Sequence, residues 1–442
     1  MAEIIPFKGI LYNIEKIHKL EDVVAPPYDV ISSQEQDDLY DLHPNNMIRL
    51  ILGKPEKSDT QDNNPHTRAA QYLSQWINAR ILKRDETPSY YLKSIEFTWN
   101  GKQYTRYGLI TLVRIESFDK GIILPHEKTF SRVKSERLNL LKICNTNFDP
   151  VFALYPDNND TLSLMIQKIH GQPSDLSFRD HYGHHHRVWR LTDPDFNKTI
   201  ANALATESLF IADGHHRYET ALTYRNWLKD KNPEITAEHP SNFIMMYLSS
   251  MKDPGLTVLP AHRLVKKVDD QTFTNALQNS QIFFEVTSFP FNDSSREMIQ
   301  TKFLSQLHKL NTLNAIGVLH KSQPIFHLLT LKPDAMERLF ADTIPSALKK
   351  LDVTVLTHLI FMELLGFDQE KLDDEYLIGY NSREDNAIEK VISGEYDAVF
   401  ILNPTKIEQV RSVALNRLTM PRKSTYFYPK VISGVVQNIL QP

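Results

Sequence analysis

Apolar residues recur along this 442-residue chain with two spacings, and the switches between them mark out its elements. From 67 to 82, Ala70, Leu73, Trp76, Ile77 and Ile81 fall on one face of a helix. Two runs rich in β-branched and aromatic residues follow, SYYLKSIEFTW and KQYTRYGLITLVRI. They meet at Asn100-Gly101, a pair suited to the positive-φ turn of a hairpin. Earlier, Ser32-Ser33-Gln34-Glu35 carries the N-cap serine and N3 glutamate of a capping box, so a helix starts there and runs to about Leu42. Further helices are expected near 131–143, 159–169, 194–205, 215–229, 295–309, 354–365, 383–393 and 405–417. Strands are expected near 151–155, 187–191, 208–212, 243–249, 281–286, 314–320, 325–331 and 397–402. The polar stretches 54–66 and 230–242 read as loops. This order gives a mixed α/β (α+β) chain. Clustered prolines in 251–268 predict a cut there, with domains 1–262 and 263–442.

Composition narrows the classes of function. Lys+Arg 50 against Asp+Glu 54 gives a net charge of −4, which argues against a nucleic-acid coat or a polybasic membrane anchor. Hydrophobic residues at 41% and charged residues at 24% fit a globular protein rather than a disordered one. A single cysteine, Cys144, excludes an intrachain disulfide and any zinc site built from several thiolates. It reads as a packing residue. No run approaches ~18 consecutive apolar residues, so no membrane-spanning helix is expected. The start MAEIIPFKGI is not that of a signal peptide. The expected location is cytoplasmic.

The strongest local signal is SLFIADGHHRYETAL (208–222), a short strand, a glycine turn and a helix. Gly214 permits positive φ or close approach of a ligand. The helix behind it offers unpaired N–H groups and the positive end of its dipole. His215, His216 and Arg217 fall in its first turn, where cations are disfavoured unless an anion joins them, so a phosphate or carboxylate ligand is expected. Arg217 can grip such a group bidentately. The alternative is a helix capped by Asp213 with histidines on its surface.

The chain resembles the uncharacterised family catalogued as domain of unknown function 1015. The resemblance rests on APPYDVIS (25–32), LPHEKT (124–129), FIADGHHRYETAL (210–222), LPAHRL (259–264) and MPRKSTYFYPK (420–430). The Asp213–Arg217 segment is also similar to the signature of the ParB/sulfiredoxin superfamily, and closest to its ParB-like free serine kinases. That resemblance implies a nucleotide-binding core plus a second α/β domain. It also implies that Gly214, His215, His216 and Arg217 cradle phosphates. His215 stands where sulfiredoxins carry their cysteine, so the sulfiredoxin reaction is excluded.

Other segments add candidates. In Pro26-Pro27-Tyr28-Asp29 two locked φ angles precede a capped helix, so Asp29 is a candidate general base and Tyr28 a candidate substrate contact. The alternative is a turn stabilised by Asp29. His126-Glu127-Lys128-Thr129 is not a His-Glu-x-x-His motif, because residue 130 is Phe; His126 and Glu127 remain candidates for proton transfer or Mg²⁺. Arg422, Lys423, Ser424 and Thr425 offer donors to a phosphate without P-loop spacing, or form a structural strap. His262 and Arg263 are weaker candidates for the same pocket. His184-His185-His186 reads as a loop, since three adjacent histidines cannot all face one ion.

The combined expectation is a phosphotransferase that uses ATP or ADP with Mg²⁺ on a small hydroxylated metabolite, a free amino acid such as serine being the first guess. Asp29 is its base, and Asp213 orients the motif or contacts the metal. The segment 420–430 closes on the site. The alternatives are a ParB-like nucleotide switch and a metal-dependent phosphoesterase.

Overall fold

The computed structural model describes residues 2–127 and 131–440, the side chains of 131–133 excepted. Lys128 and Thr129 of the LPHEKT segment and the Arg132 side chain therefore lie outside the described residues. The chain folds as two compact units, one of Met1–Pro125, Thr129–Thr257 and Pro429–Pro442, the other of His126–Lys128 and Val258–Tyr428. Both are mixed α/β.

The first unit is built on a nine-stranded sheet. Along its main path the order is Ile123–Leu124, Leu209–Asp213, Val151–Tyr155, Phe243–Ser250, Lys102–Arg114, Tyr90–Trp99, His185–Leu191 and Leu176–Arg179. The hairpin lies where the sequence puts it. Trp99 pairs with Lys102, and Asn100 and Gly101 take φ of 47° and 73°. Phe243–Ser250 runs parallel to Val151–Tyr155, and Leu209–Asp213 parallel to Ile123–Leu124. The central strands Val151–Tyr155 and Phe243–Ser250 carry near-continuous apolar runs because both faces are covered: VFALY of Val151–Tyr155 is buried throughout. The helix His215–Lys231 packs on this sheet, with Tyr218 and Ala221 joining Val151, Ala153, Leu209 and Ile211 in one cluster.

One close approach in the sheet depends on a missing side chain. Gly108 faces the ring of Tyr247 on the neighbouring strand, and a Cβ there would overlap that ring. Tyr247 is fully buried.

Helix Ser33–Leu42 starts as expected, with the Ser32 hydroxyl accepting from the Glu35 N–H at 3.2 Å. The Glu35 side chain does not close the box, because it accepts from the Tyr182 hydroxyl instead.

The second unit holds a six-stranded antiparallel sheet ordered Phe284–Pro290, Ile325–Leu331, Ala315–His320, Ala398–Leu402, His262–Val265 and Ile378–Asn381. Helices cover both faces and form two clusters, one around Phe361 and Phe400 and one around Phe303 and Phe326. The expected helix 354–365 winds largely as a π-helix, Val355–Leu364, ending with the Leu365 N–H donating to the Ile360 carbonyl. Among the described residues, no helix is long and apolar enough to cross a membrane.

Candidate functional site

The strand Leu209–Asp213 ends at the predicted glycine turn. Gly214 has φ of 90°, in the left-handed region, and the helix begins at His215. Its N-cap position is Gly214, which has no side chain to offer. Asp213 is occupied elsewhere. Its Oδ2 accepts from Arg217 Nη2 at 2.5 Å, and its Oδ1 accepts from Lys430 Nζ. The Arg217 guanidinium folds back over Gly214, so that a Cβ on residue 214 would lie 2.8 Å from Arg217 Nε. Glycine is thus required twice, by its φ and by the guanidinium above it. Arg217 Nη1 donates to the Pro150 carbonyl, which ties the turn to the start of the neighbouring strand.

These charges are nearly out of water. The side chains of Arg217, Asp213 and Lys430 are 10%, 14% and 14% exposed. Burial works against the Asp213 carboxylate, but Lys430 and Arg217 outweigh it and hold its pKa well below the usual range. His215 is buried and His216 half-buried in the first turn.

Three acidic or phenolic groups bear on Arg217 besides Asp213: Asp29, Asp149 and Tyr28. Asp29 is exposed, in the short 3₁₀ turn Tyr28–Val30 that Pro27 introduces with φ of −64°. Asp149 is shielded. Its Oδ1 is out of contact with solvent and has no hydrogen-bond partner, and burial pushes its pKa up against the pull of Arg217. The Tyr28 ring lies under the guanidinium of Arg137, 4.1 Å from its centroid, and burial, followed by the Asp29 charge, raises its pKa. Arg137 donates to the Ile51 carbonyl at 2.7 Å and pairs with Glu136.

The first unit therefore brings together Tyr28, Asp29, Asp213, Gly214 and Arg217 from the sequence-derived set, with His215 and His216 in the adjoining turn. Sequence reasoning missed Asp149, Arg137 and Lys430. Lys430 was in view as the last residue of MPRKSTYFYPK, but nothing local distinguished it from Lys423. Lys134, a neighbour of the LPHEKT segment, pairs with Glu219 of the helix His215–Lys231 at 2.7 Å.

The remaining candidates belong to the second unit, where they form their own cluster. His126 Nε2 is 3.1 Å from Thr425 Oγ1, and the Met420 N–H donates to the His126 carbonyl at 2.8 Å. Glu127 bridges to Met420. Arg263 is buried across the Tyr380 ring and donates to the carbonyls of Arg422 and Lys423 at 3.0 and 3.1 Å. Burial lowers its pKa to about 10. His262 is buried, and its Nδ1 accepts from the Leu402 N–H at 3.2 Å. Ser424 donates to the Pro421 carbonyl at 2.6 Å. The Arg422 side chain faces Glu375 and Asp373, while Lys423 is exposed at φ of 54°. In this segment Arg263 fixes the backbone, and the Ser424 hydroxyl is spent locally.

The chain can be set beside known proteins. A family model described as "Protein of unknown function (DUF1015)" matches residues 4–354. No curated protein matches. Among solved structures, a free serine kinase in complex with AMP is similar at 12% identity and a TM-score of 0.33, over 72% of this chain and 86% of that one. A conserved hypothetical protein from Pyrococcus furiosus is similar at 14% identity and a TM-score of 0.34, over 75% and 95%. SbnI with a C-terminal truncation, from Staphylococcus aureus, is similar at 8% identity and a TM-score of 0.34, over 73% and 85%. Likenesses this distant transfer no chemistry.

Proposed function

The chain belongs to the DUF1015 family, and we propose that its Asp213–Arg217 turn binds the phosphates of a nucleotide for transfer of a phosphoryl group to a small hydroxylated acceptor. The observation that carries this reading is the glycine turn into a helix beside buried cations: Gly214, at φ of 90°, puts bare backbone ahead of His215, with Arg217 folded over it. The N-cap position of His215–Lys231 is Gly214, and an aspartate immediately precedes it. Asp213 is held by Lys430 and Arg217, and the positive dipole end of the helix behind Gly214 favours an anion. Gly214 lets that anion approach the backbone.

Asp29 suits the role of base. It is exposed and bears on Arg217, so a hydroxyl held between them can pass its proton to the carboxylate as the phosphorus–oxygen bond forms. The acceptor oxygen attacks the terminal phosphorus, the bond to the bridging oxygen breaks, and the nucleoside diphosphate leaves. Arg217, His215 and His216 are the groups placed to offset charge on the transferred oxygens. Mg²⁺, when bound, would supply charge neutralisation on the phosphates. Asp149, with its unpartnered Oδ1, and Asp29 fit a hard cation; Asp213, with a cation on each oxygen, does not. The acceptor is a free amino acid such as serine in the simplest version of this reading.

The test pairs binding with turnover. Nucleotide binding is measured calorimetrically with ADP and ATP, and phosphoryl transfer is followed across a panel of hydroxylated amino acids. Asp29→Asn is expected to keep nucleotide affinity within about threefold and to lose turnover by about 10²–10⁴-fold, the usual worth of a general base. Wild-type protein that binds no nucleotide refutes the site. Binding with a conformational change but no turnover on any acceptor replaces the kinase with a nucleotide switch.

A further inference from the structure

The histidine run 184–186 does not behave as three adjacent side chains on one surface. His185 opens the strand His185–Leu191, and side chains along a strand alternate between faces. His185 turns to one side, where its Nδ1 lies 3.2 Å from Glu96. His184 and His186 turn to the other side and converge on Asp180. Asp180 Oδ2 is 3.1 Å from His184 Nδ1 and 2.9 Å from His186 Nε2. The three potential ligand atoms all lie within 4.8 Å of one another, and all three residues are buried. Two backbone N–H groups, of Tyr182 and His184, donate to the other carboxylate oxygen at 3.0 and 2.9 Å and fix its orientation.

The geometry points to a divalent transition-metal site formed by Asp180, His184 and His186, with zinc its simplest occupant. Three features carry this. Two imidazoles and one carboxylate are a donor set that first-row divalent ions favour over Mg²⁺ or Ca²⁺. With bonds of about 2.1 Å, neighbouring ligand atoms around one ion stand roughly 3.0–3.4 Å apart, so the two nitrogen–oxygen spacings already approach the liganded arrangement. The backbone donors on Asp180 are the outer-shell support that ligating carboxylates normally have. Asp180 also lines a cavity of about 320 Å³ together with Tyr182, Glu35 and Asp38. None of these residues belongs to the Asp213–Arg217 site, and the inference does not depend on nucleotide binding.

The experiment uses the full chain, purified without a histidine tag, stripped with a chelator and dialysed against limiting Zn²⁺. Metal per chain is then measured by atomic emission. Wild type and His181→Gln, which alters an exposed neighbour, are expected to retain one equivalent. Asp180→Asn and His186→Gln are expected to bind at least tenfold more weakly. Should either variant fail to fold, His184→Gln and the Zn²⁺-dependent rise in wild-type Tm provide the same comparison, since an ion that binds only the native state raises its melting temperature. A wild-type chain that retains no zinc and shows no Tm rise overturns the site. So do ligand variants that retain zinc like wild type, which would assign the ion to surface histidines.

Discussion

The Lys430–Asp213–Arg217 cluster offers a direct test of how the first unit holds its turn. Lys430→Met removes one of two cations from a carboxylate whose side chain is 14% exposed. Breaking a buried ion pair from one side typically costs about 3–5 kcal/mol, because the remaining charge stays buried. Arg217 still donates to Oδ2, so the lower end, about 3 kcal/mol, is expected here. At roughly 2–4 °C per kcal/mol for a unit of this size, the melting transition should fall by about 6–12 °C. Asp213→Asn strands two cations and should cost at least as much. Because the residues share one network, the double variant should lose about 1–3 kcal/mol less than the sum of the single losses. The pH dependence has a definite sign. Asp213 has a folded pKa below the unfolded value of about 3.8, so its contribution is complete above that value and is lost as pH falls through the folded one. The stability gap between wild type and Asp213→Asn should therefore be constant near neutrality and shrink below about pH 4. Urea titrations of the three variants and wild type at pH 7, 5 and 3 measure all of this. A loss under about 0.5 kcal/mol for Lys430→Met, with no coupling in the cycle, would show the pair to be solvated and the argument for an anchored turn to be wrong.

Three further outcomes are expected. Gly214→Ala must adopt positive φ and displace the Arg217 guanidinium; it should lose about 1–3 kcal/mol of stability and weaken nucleotide binding in calorimetry together with it. Gly108→Ala drives a methyl group into the buried Tyr247 ring and should cost about 1–3 kcal/mol in a urea titration, with nucleotide affinity per folded molecule unchanged. Lys93 is wholly buried, its Nζ has no hydrogen-bond partner, and burial brings its pKa to about 7. The unfolded chain then binds more protons than the folded one between about pH 7 and 10.5, so stability attributable to this residue rises with pH across that window, and Lys93→Met should abolish the rise.

What the sequence made legible was what short segments decide for themselves. Asn100-Gly101 sets a turn without outside help, and Ser32 caps its own helix through the Glu35 N–H. Strand–glycine–helix was readable at 209–217 for the same reason. The helix Asp270–Ser280, absent from the expected helices, was legible in principle, since Asp269 caps it at the Thr272 N–H. What stayed hidden depends on chain separation or on side-chain direction. Lys430 reaches Asp213 across 217 residues, and no local pattern separates it from Lys423 nearby. The strand Leu176–Arg179 is four residues long, too short for alternation to show, yet it begins the hairpin that turns His184 and His186 to one side. Adjacency in sequence argued against a shared ion. Alternation along a strand leaves that argument valid for His185 alone.

The same distinction governs the candidate site. Cations in the first turn of a helix favour an anion, and from sequence alone a ligand was the expected source, with a helix capped by Asp213 the alternative. The fold supplies part of it internally. Asp213 meets Arg217 and Lys430, and Asp149 and Asp29 lie within electrostatic reach of Arg217. These contacts compensate the side-chain charges, and Asp213 is not the N-cap of the helix, a position held by Gly214. A protein that needed only to end a strand and begin a helix could have let Asp213 accept from the N–H groups two or three residues on, at a gain of about 1 kcal/mol. Instead, the aspartate is directed at two buried cations, an arrangement that stabilises little more than a well-packed apolar substitute would. Stability alone does not account for that choice, whereas the proposed phosphate at the helix start, with its acceptor near Asp29, would.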